Sequence, residues 1–144
     1  RIAARRAGNA HEDRWQVKRI WAGRILSGIA VLFLAMDFTI KLMLIQPVVD
    51  SFARLGIPAQ LPVTIGVLEL ICVAVYLIPA TSILGAILLT GYLGGAMMCH
   101  VRVGDPLVSH ILFPGYVGIM LWGGLWLREP RLKALIPLRP TSGA

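Results

Sequence analysis

Four long apolar stretches, near 20–44, 61–78, 83–101 and 107–127, make up most of this chain. Each is long enough for a helix to cross roughly 30 Å of hydrocarbon. None alternates apolar and polar residues as a barrel strand would. The first stretch ends at Gln46-Pro47, where proline stops the helix. Pro79-Ala80-Thr81-Ser82 joins the second to the third, with Thr81 or Ser82 as the expected N-cap. Arg102-Val103-Gly104-Asp105-Pro106 joins the third to the fourth. Such short links make neighbours antiparallel, so the pattern predicts an all-α, up-down-up-down four-helix bundle in the membrane.

The longest connection, 47–60, has its own pattern. Val48, Val49, Phe52 and Leu55 are spaced along one helical face, with Asp50, Ser51 and Arg54 between them. This predicts an amphipathic turn on the membrane surface, either a plain linker or a lid. Glycines punctuate the later stretches: Gly91 and Gly95 form a GxxxG pair, and Gly115, Gly118, Gly123 and Gly124 follow. Small residues let membrane helices approach closely, so these are expected to pack.

Composition confirms the class: mean hydropathy is +0.76 and only 15% of residues are charged, too apolar for a soluble domain of 144 residues. The net charge of +7 is uneven. Arg1, Arg5, Arg6, Arg14, Lys18, Arg19 and Arg24 precede or open the first stretch, and Arg128, Arg131, Lys133 and Arg139 follow the last. The other loops offer only Arg54 and Arg102. The positive-inside rule then predicts cytoplasmic termini. The expected organisation is a basic arm over 1–18, a transmembrane domain over 19–128 and a tail over 129–144. The basic excess implies contact with membrane lipids, and no aromatic interleaving points to nucleic acid. The first stretch is expected to be a retained span. It is too long for a signal-peptide core and carries Asp37 and Lys41.

Charged residues inside apolar stretches carry the functional signal, because each costs roughly 2.5–3.5 kcal/mol to insert. Counting the helical rise, Asp37 lies about 10 Å and Glu69 about 12 Å below the outer ends of their spans. Lys41, His100 and His110 lie within roughly 2–5 Å of theirs. Arg102 and Asp105 occupy the turn above, and the inner half offers little beyond Tyr76 and Tyr92. Asp37 and Lys41 share a face at i, i+4. Glu69 shares one with Gly66, Cys72, Val73 and Tyr76. Pro114 removes the bond to the His110 carbonyl, so a kink and a free carbonyl are expected there. The plainer readings are a neutral packing pair for Asp37–Lys41, caps for Arg102 and Asp105, and headgroup contacts for the histidines. Glu69, deep and without a base in its own span, is the strongest functional candidate. No HxxxH or ExxH spacing suggests a metal. Cys72 and Cys99 differ in depth by about 12 Å on the helical rise, so no disulfide is expected.

Gly91-Tyr92-Leu93-Gly94-Gly95-Ala96 followed by His100-Val101-Arg102-Val103-Gly104-Asp105-Pro106 resembles the signature of the DoxX-like membrane proteins. So do Leu55-Gly56-Ile57-Pro58, Gly66-Val67-Leu68-Glu69 and Leu77-Ile78-Pro79. The resemblance implies a four-helix membrane bundle. It also raises quinone-linked redox chemistry, since the family is named for a membrane component of a thiosulfate:quinone oxidoreductase. No covalently bound cofactor is expected.

These readings combine into a bacterial inner-membrane protein binding a small lipophilic molecule, a quinone for instance, in an outward-facing polar pocket. Glu69 and Asp37 would accept or relay protons. His100, Arg102, Lys41, Asp105, His110 and Tyr76 would bind the ligand, with Lys41 balancing the acids. Two rival readings are a structural or assembly subunit, in a larger complex or a homo-oligomer, and a small proton-coupled transporter. The transporter reading is weakened by the apolar inner half, which leaves no readable exit path.

Overall fold

Prolines set three of the helix starts. Pro47, Pro62 and Pro114 each sit in a first turn, where a missing N–H costs nothing. The structure, a computed structural model, describes residues 2–135, with side chains from 14 to 132. The expected basic residues Arg1 and Arg139, and the side chains of Arg5, Arg6 and Lys133, lie outside the described part. Helix α1 spans Ile2–Leu42, α2 Gln46–Arg54, α3 Leu61–Leu77 and α4 Ser82–Arg102. A π-helical turn, Leu107–Ile111, precedes α5 (Phe113–Arg128) and α6 (Pro130–Leu135). The described residues contain no strand.

Three segments are long and apolar enough to cross a membrane: Arg14–Leu42, Ser82–Arg102 and Leu107–Arg128. Helix α3 is more apolar still but has 17 residues, fewer than the other three. Their outward surfaces are greasy. Leu32, Met98, Val108 and Ile119 are each more than 60% exposed, as lipid-facing side chains are.

Two local expectations are corrected. The fourth stretch is not one kinked helix. It is interrupted at Leu112, and Pro114 opens a new helix there instead of bending an old one. At the α3–α4 hairpin, Thr81 holds the N-cap position, but its hydroxyl does not cap α4. It donates backward to the Val75 carbonyl at 2.8 Å, and Ser82 donates to the Pro79 carbonyl at 3.2 Å. The hydroxyls thus satisfy one carbonyl in the last turn of α3, which has no partner within its own helix, and one in the hairpin beyond it.

Helix α1 packs on α3 and α5, and α4 packs on the same two. Small residues make the seams. A Cβ at Gly23 would come within 2.7 Å of the Gly124 carbonyl, and one at Gly124 would land on Ser27 Oγ. A Cβ at Gly85 would strike the backbone of Tyr76. The GxxxG pair behaves otherwise: added Cβ atoms at Gly91, Gly94 and Gly95 would meet nothing within 4 Å. The expectation that this pair packs is therefore not met within this chain. Leu34, Val73, Tyr76, Leu89, Leu121 and Leu125 fill the space between the seams. Cys72 is buried, Cys99 is half-buried, and neither is bridged.

A methyl group at Gly124 has no room, because the opposing atoms are backbone and a hydrogen-bonded serine. Gly124→Ala should destabilise by about 1–3 kcal/mol, the usual cost of overpacking. Gly94→Ala, which adds its methyl to open space, should be neutral or stabilise by up to about 1 kcal/mol through helix propensity. Thermal unfolding of the two variants in detergent checks the contrast; equal behaviour would mean the α1–α5 seam is looser than described.

Candidate functional site

The last turn of α1 carries Lys41, whose ammonium has three protons to place. All three find acceptors. Lys41 Nζ lies 2.5 Å from Asp37 Oδ2, one turn back on the same helix. It lies 2.9 Å from Glu69 Oε2 on α3 and 2.7 Å from the Tyr92 hydroxyl on α4. Tyr92 in turn donates to Glu69 Oε2 at 2.7 Å. Three helices thus meet at one ammonium. Gly66 lets this happen: a Cβ there would sit 3.1 Å from Lys41 Cβ and 3.3 Å from the Phe38 carbonyl, so α1 and α3 close tightly beneath the site.

Burial grades across the cluster. The side chain of Asp37 is 30% exposed and that of Lys41 11%, while Glu69 is wholly enclosed. The buried face of α3 is the one the sequence implied, with Gly66, Glu69, Cys72, Val73 and Tyr76 all turned inward. One atom stands apart. Glu69 Oε1 is buried and has no hydrogen-bond partner, although Oε2 accepts two bonds. A carboxylate oxygen in such a place normally costs free energy unless something donates to it.

The remaining predicted residues do not join this cluster. His100, Arg102 and Asp105 form a second one with Arg54. Asp105 Oδ2 lies 2.6 Å from His100 Nδ1, and Arg54 Nη1 donates to Asp105 Oδ1. Arg102 Nη2 donates to the Leu55 carbonyl. That carbonyl is presented by a left-handed turn at Gly56 (φ +64°), where a Cβ would sit 3.3 Å from Arg102 Nη2. Both links fasten the end of α2 to the turn after α4. Val48 and Phe52 bury the apolar face of α2, as its spacing implied. His110 is exposed; its ring lies edge-to-face with His100 at 5.8 Å, and its Nδ1 is 2.8 Å from Ser109 Oγ.

Tyr76 belongs to neither group. Its hydroxyl donates to the Leu121 carbonyl at 3.0 Å and lies 2.9 Å from Ser27 Oγ. Two residues were missed as site members. Tyr92 was read as an isolated polar group of the inner half, yet it completes the Lys41 shell. A signal existed in the short antiparallel hairpin: Gly85 lies against Tyr76, and seven residues forward from Gly85 and seven back from Tyr76 bring Tyr92 opposite Glu69. Arg54 was read only as the polar side of a surface turn. Nothing in its spacing points to Asp105, which lies two helices further along the chain.

The first cluster can hold and exchange protons. Two carboxylates share one ammonium, and one enclosed carboxylate oxygen has no donor. The second is a clasp. The His100 hydrogen bond, and then Arg54, hold the Asp105 carboxyl below the usual carboxylate range.

Removing Lys41 alone would strand a buried carboxylate. Lys41→Met should cost about 3–5 kcal/mol. Combining it with Glu69→Gln should recover a large part, because neither charge then remains unpaired; additive losses in a double-mutant cycle of unfolding would contradict the pairing. For the clasp, a depressed carboxyl contributes its link above its ordinary pKa and loses it as pH falls through the lowered one. A nitroxide at Ala53→Cys on α2 should therefore gain mobility only in strong acid. A gain already near neutral pH would show that Asp105 does not hold the clasp.

No curated protein and no solved structure matches the chain. The model of the DoxX-like family matches residues 25–124, which include every member of both clusters. With more than half of its length matched and its helices long and apolar enough to cross a membrane, the chain belongs to the DoxX-like family of membrane proteins.

Proposed function

We propose that this is a multi-pass protein of the bacterial inner membrane, with α1, α3, α4 and α5 as an antiparallel four-helix bundle and both termini cytoplasmic. The Asp37–Lys41–Glu69–Tyr92 cluster is its proton-exchanging site for a small lipophilic molecule with a polar head, of which a quinone is the best-fitting class. The topology rests on charge. Arg14, Lys18, Arg19 and Arg24 on α1 share one side with Arg128 and Arg131, while Arg54 and Arg102 serve the other.

The observation that carries the reading is the unpartnered Glu69 Oε1. A bound quinol hydroxyl would donate to it, and Lys41 would donate to a quinone carbonyl. Reduction of a quinone takes up two electrons and two protons. Glu69 and Asp37 supply the protons, with half-exposed Asp37 refilled from solvent, and a redox partner protein in the membrane supplies the electrons. The clasped α2 forms the roof on the outer side, with His100 and Arg102 within it.

A second reading, an assembly subunit, is favoured by the open space over Gly91, Gly94 and Gly95, where a neighbouring helix would fit. The two part at one variant. Glu69→Gln keeps shape and one hydrogen bond but cannot titrate. On the site reading, a short-chain quinone analogue binds the purified protein and Glu69→Gln weakens it about tenfold or more, the scale of one lost charged hydrogen bond. Unchanged binding in Glu69→Gln, or none in the parent protein, would transfer the cluster to the structural reading.

A further inference from the structure

The seam between α1 and α5 runs past the end of α5. Gly23 meets Arg128, and Ser27 meets Gly124, so the same face of α1 one turn earlier presents Arg19 beyond the last turn of α5. Arg128 is fixed there by its own contacts, its guanidinium lying 5.2 Å from the centre of the Tyr76 ring. Arg19 Nε and Arg128 Nε are both buried, and neither has a hydrogen-bond partner. Two guanidinium groups on adjoining helices, at the same end of the α1–α5 seam, therefore each keep a buried Nε donor unspent. Such an arrangement is unfavourable unless an anion joins it.

The surroundings say which anion. Among the residues whose side chains are described, the one acid at this end is Glu129, and its Oε1 accepts from the Arg131 backbone at 3.1 Å; Glu12 and Asp13, earlier on α1, lie outside them. An open groove of about 410 Å³ runs beside Arg19, lined by Trp15, Gln16, Lys18 and Ala22. Trp15 and Trp21 are 60% and 57% exposed, and from there onward α1 shows apolar side chains at its surface, Ile25, Ile29 and Leu32 among them. Tryptophans at such a boundary mark the headgroup level of a bilayer. Arg19 and Arg128 thus lie where lipid phosphates lie. A guanidinium fork matches phosphate oxygens in geometry as well as in charge.

We infer that Arg19 and Arg128 form a defined binding site for the phosphate of an anionic phospholipid, with its acyl chains running down α1. This site is separate from the Lys41 cluster and does not depend on the quinone reading.

The test uses the purified full chain in uncharged detergent. Phosphatidylglycerol, phosphatidylcholine and inorganic phosphate are titrated, and retained lipid is counted by native mass spectrometry. Phosphatidylglycerol should bind in preference, and Arg19→Gln should weaken it about fivefold, the scale of one basic residue at a membrane surface. Arg19→Gln plus Arg128→Gln should abolish the preference, Arg19→Lys should keep part of it, and Arg54→Gln should leave it intact. Because Arg128 also packs on Tyr76, Arg19→Gln alone carries the decision if the double variant unfolds. Equal retention of the two lipids overturns the proposal. So does a preference that survives Arg19→Gln or falls equally with Arg54→Gln. Inorganic phosphate binding as tightly as the lipid would make this a soluble-anion site and overturn it too.

Discussion

A lysine in the final turn of a membrane helix has an easy escape: its four-carbon stem can carry the charge outward to water. Lys41 turns inward instead, and only 8% of it is exposed. The reason is that its three protons are matched by three acceptors from three helices. Desolvating an ammonium costs several kcal/mol, recovered only when geometry and hydrogen bonding are both good. That condition ties the rotation of α1 about its axis to the positions of Glu69 and Tyr92. Few other contacts in the protein constrain three elements through one atom.

Small side chains make that constraint feasible. Gly66 lets α3 approach beneath Lys41, Gly85 brings α3 and α4 together, and Gly23 with Gly124 closes α1 on α5. In lipid, apolar burial between helices contributes little, so close backbone approach and interhelical hydrogen bonds carry the association. The Ser27–Tyr76–Leu121 bonds and the Trp122–Thr90 bond at 2.8 Å are of this kind. Polar pairing and glycine placement therefore act together, since the hydrogen bonds form only where the backbones come close enough.

Depth was readable from the sequence, while direction around each helix was readable only in part. Counting residues put Asp37 and Glu69 at one level, and they share Lys41 Nζ. Periodicity gave the inward face of α3 and the apolar face of α2. The i, i+4 spacing also paired Lys41 with Asp37, as found, but it could not say that Lys41 would reach Glu69 and Tyr92 as well, because a long flexible stem hides its own direction. It placed Tyr76 with the ligand, although that residue is bonded to Ser27 and Leu121 on the far side of the core. The split into a deep cluster and a clasp near the helix ends depends on the left-handed turn at Gly56 and on the break at Leu112. Both are backbone events that a hydrophobic pattern does not record. The basic arm shows the opposite limit: the change in composition near residue 18 is sharp, yet α1 continues through it without a break.

The shortness of α3 has a consequence for the surrounding lipid. Seventeen residues rise about 25 Å, less than the roughly 30 Å of an ordinary hydrocarbon layer. A helix of that length crossing a bilayer thins the nearby lipid wherever flanking side chains or neighbouring helices do not make up the difference. The dimple would lie next to α2, bringing headgroups and water down toward Asp37. Membrane thickness would then set how wet the deep cluster is, and thicker, stiffer lipid would work against both the dimple and the residence of the protein in such a membrane.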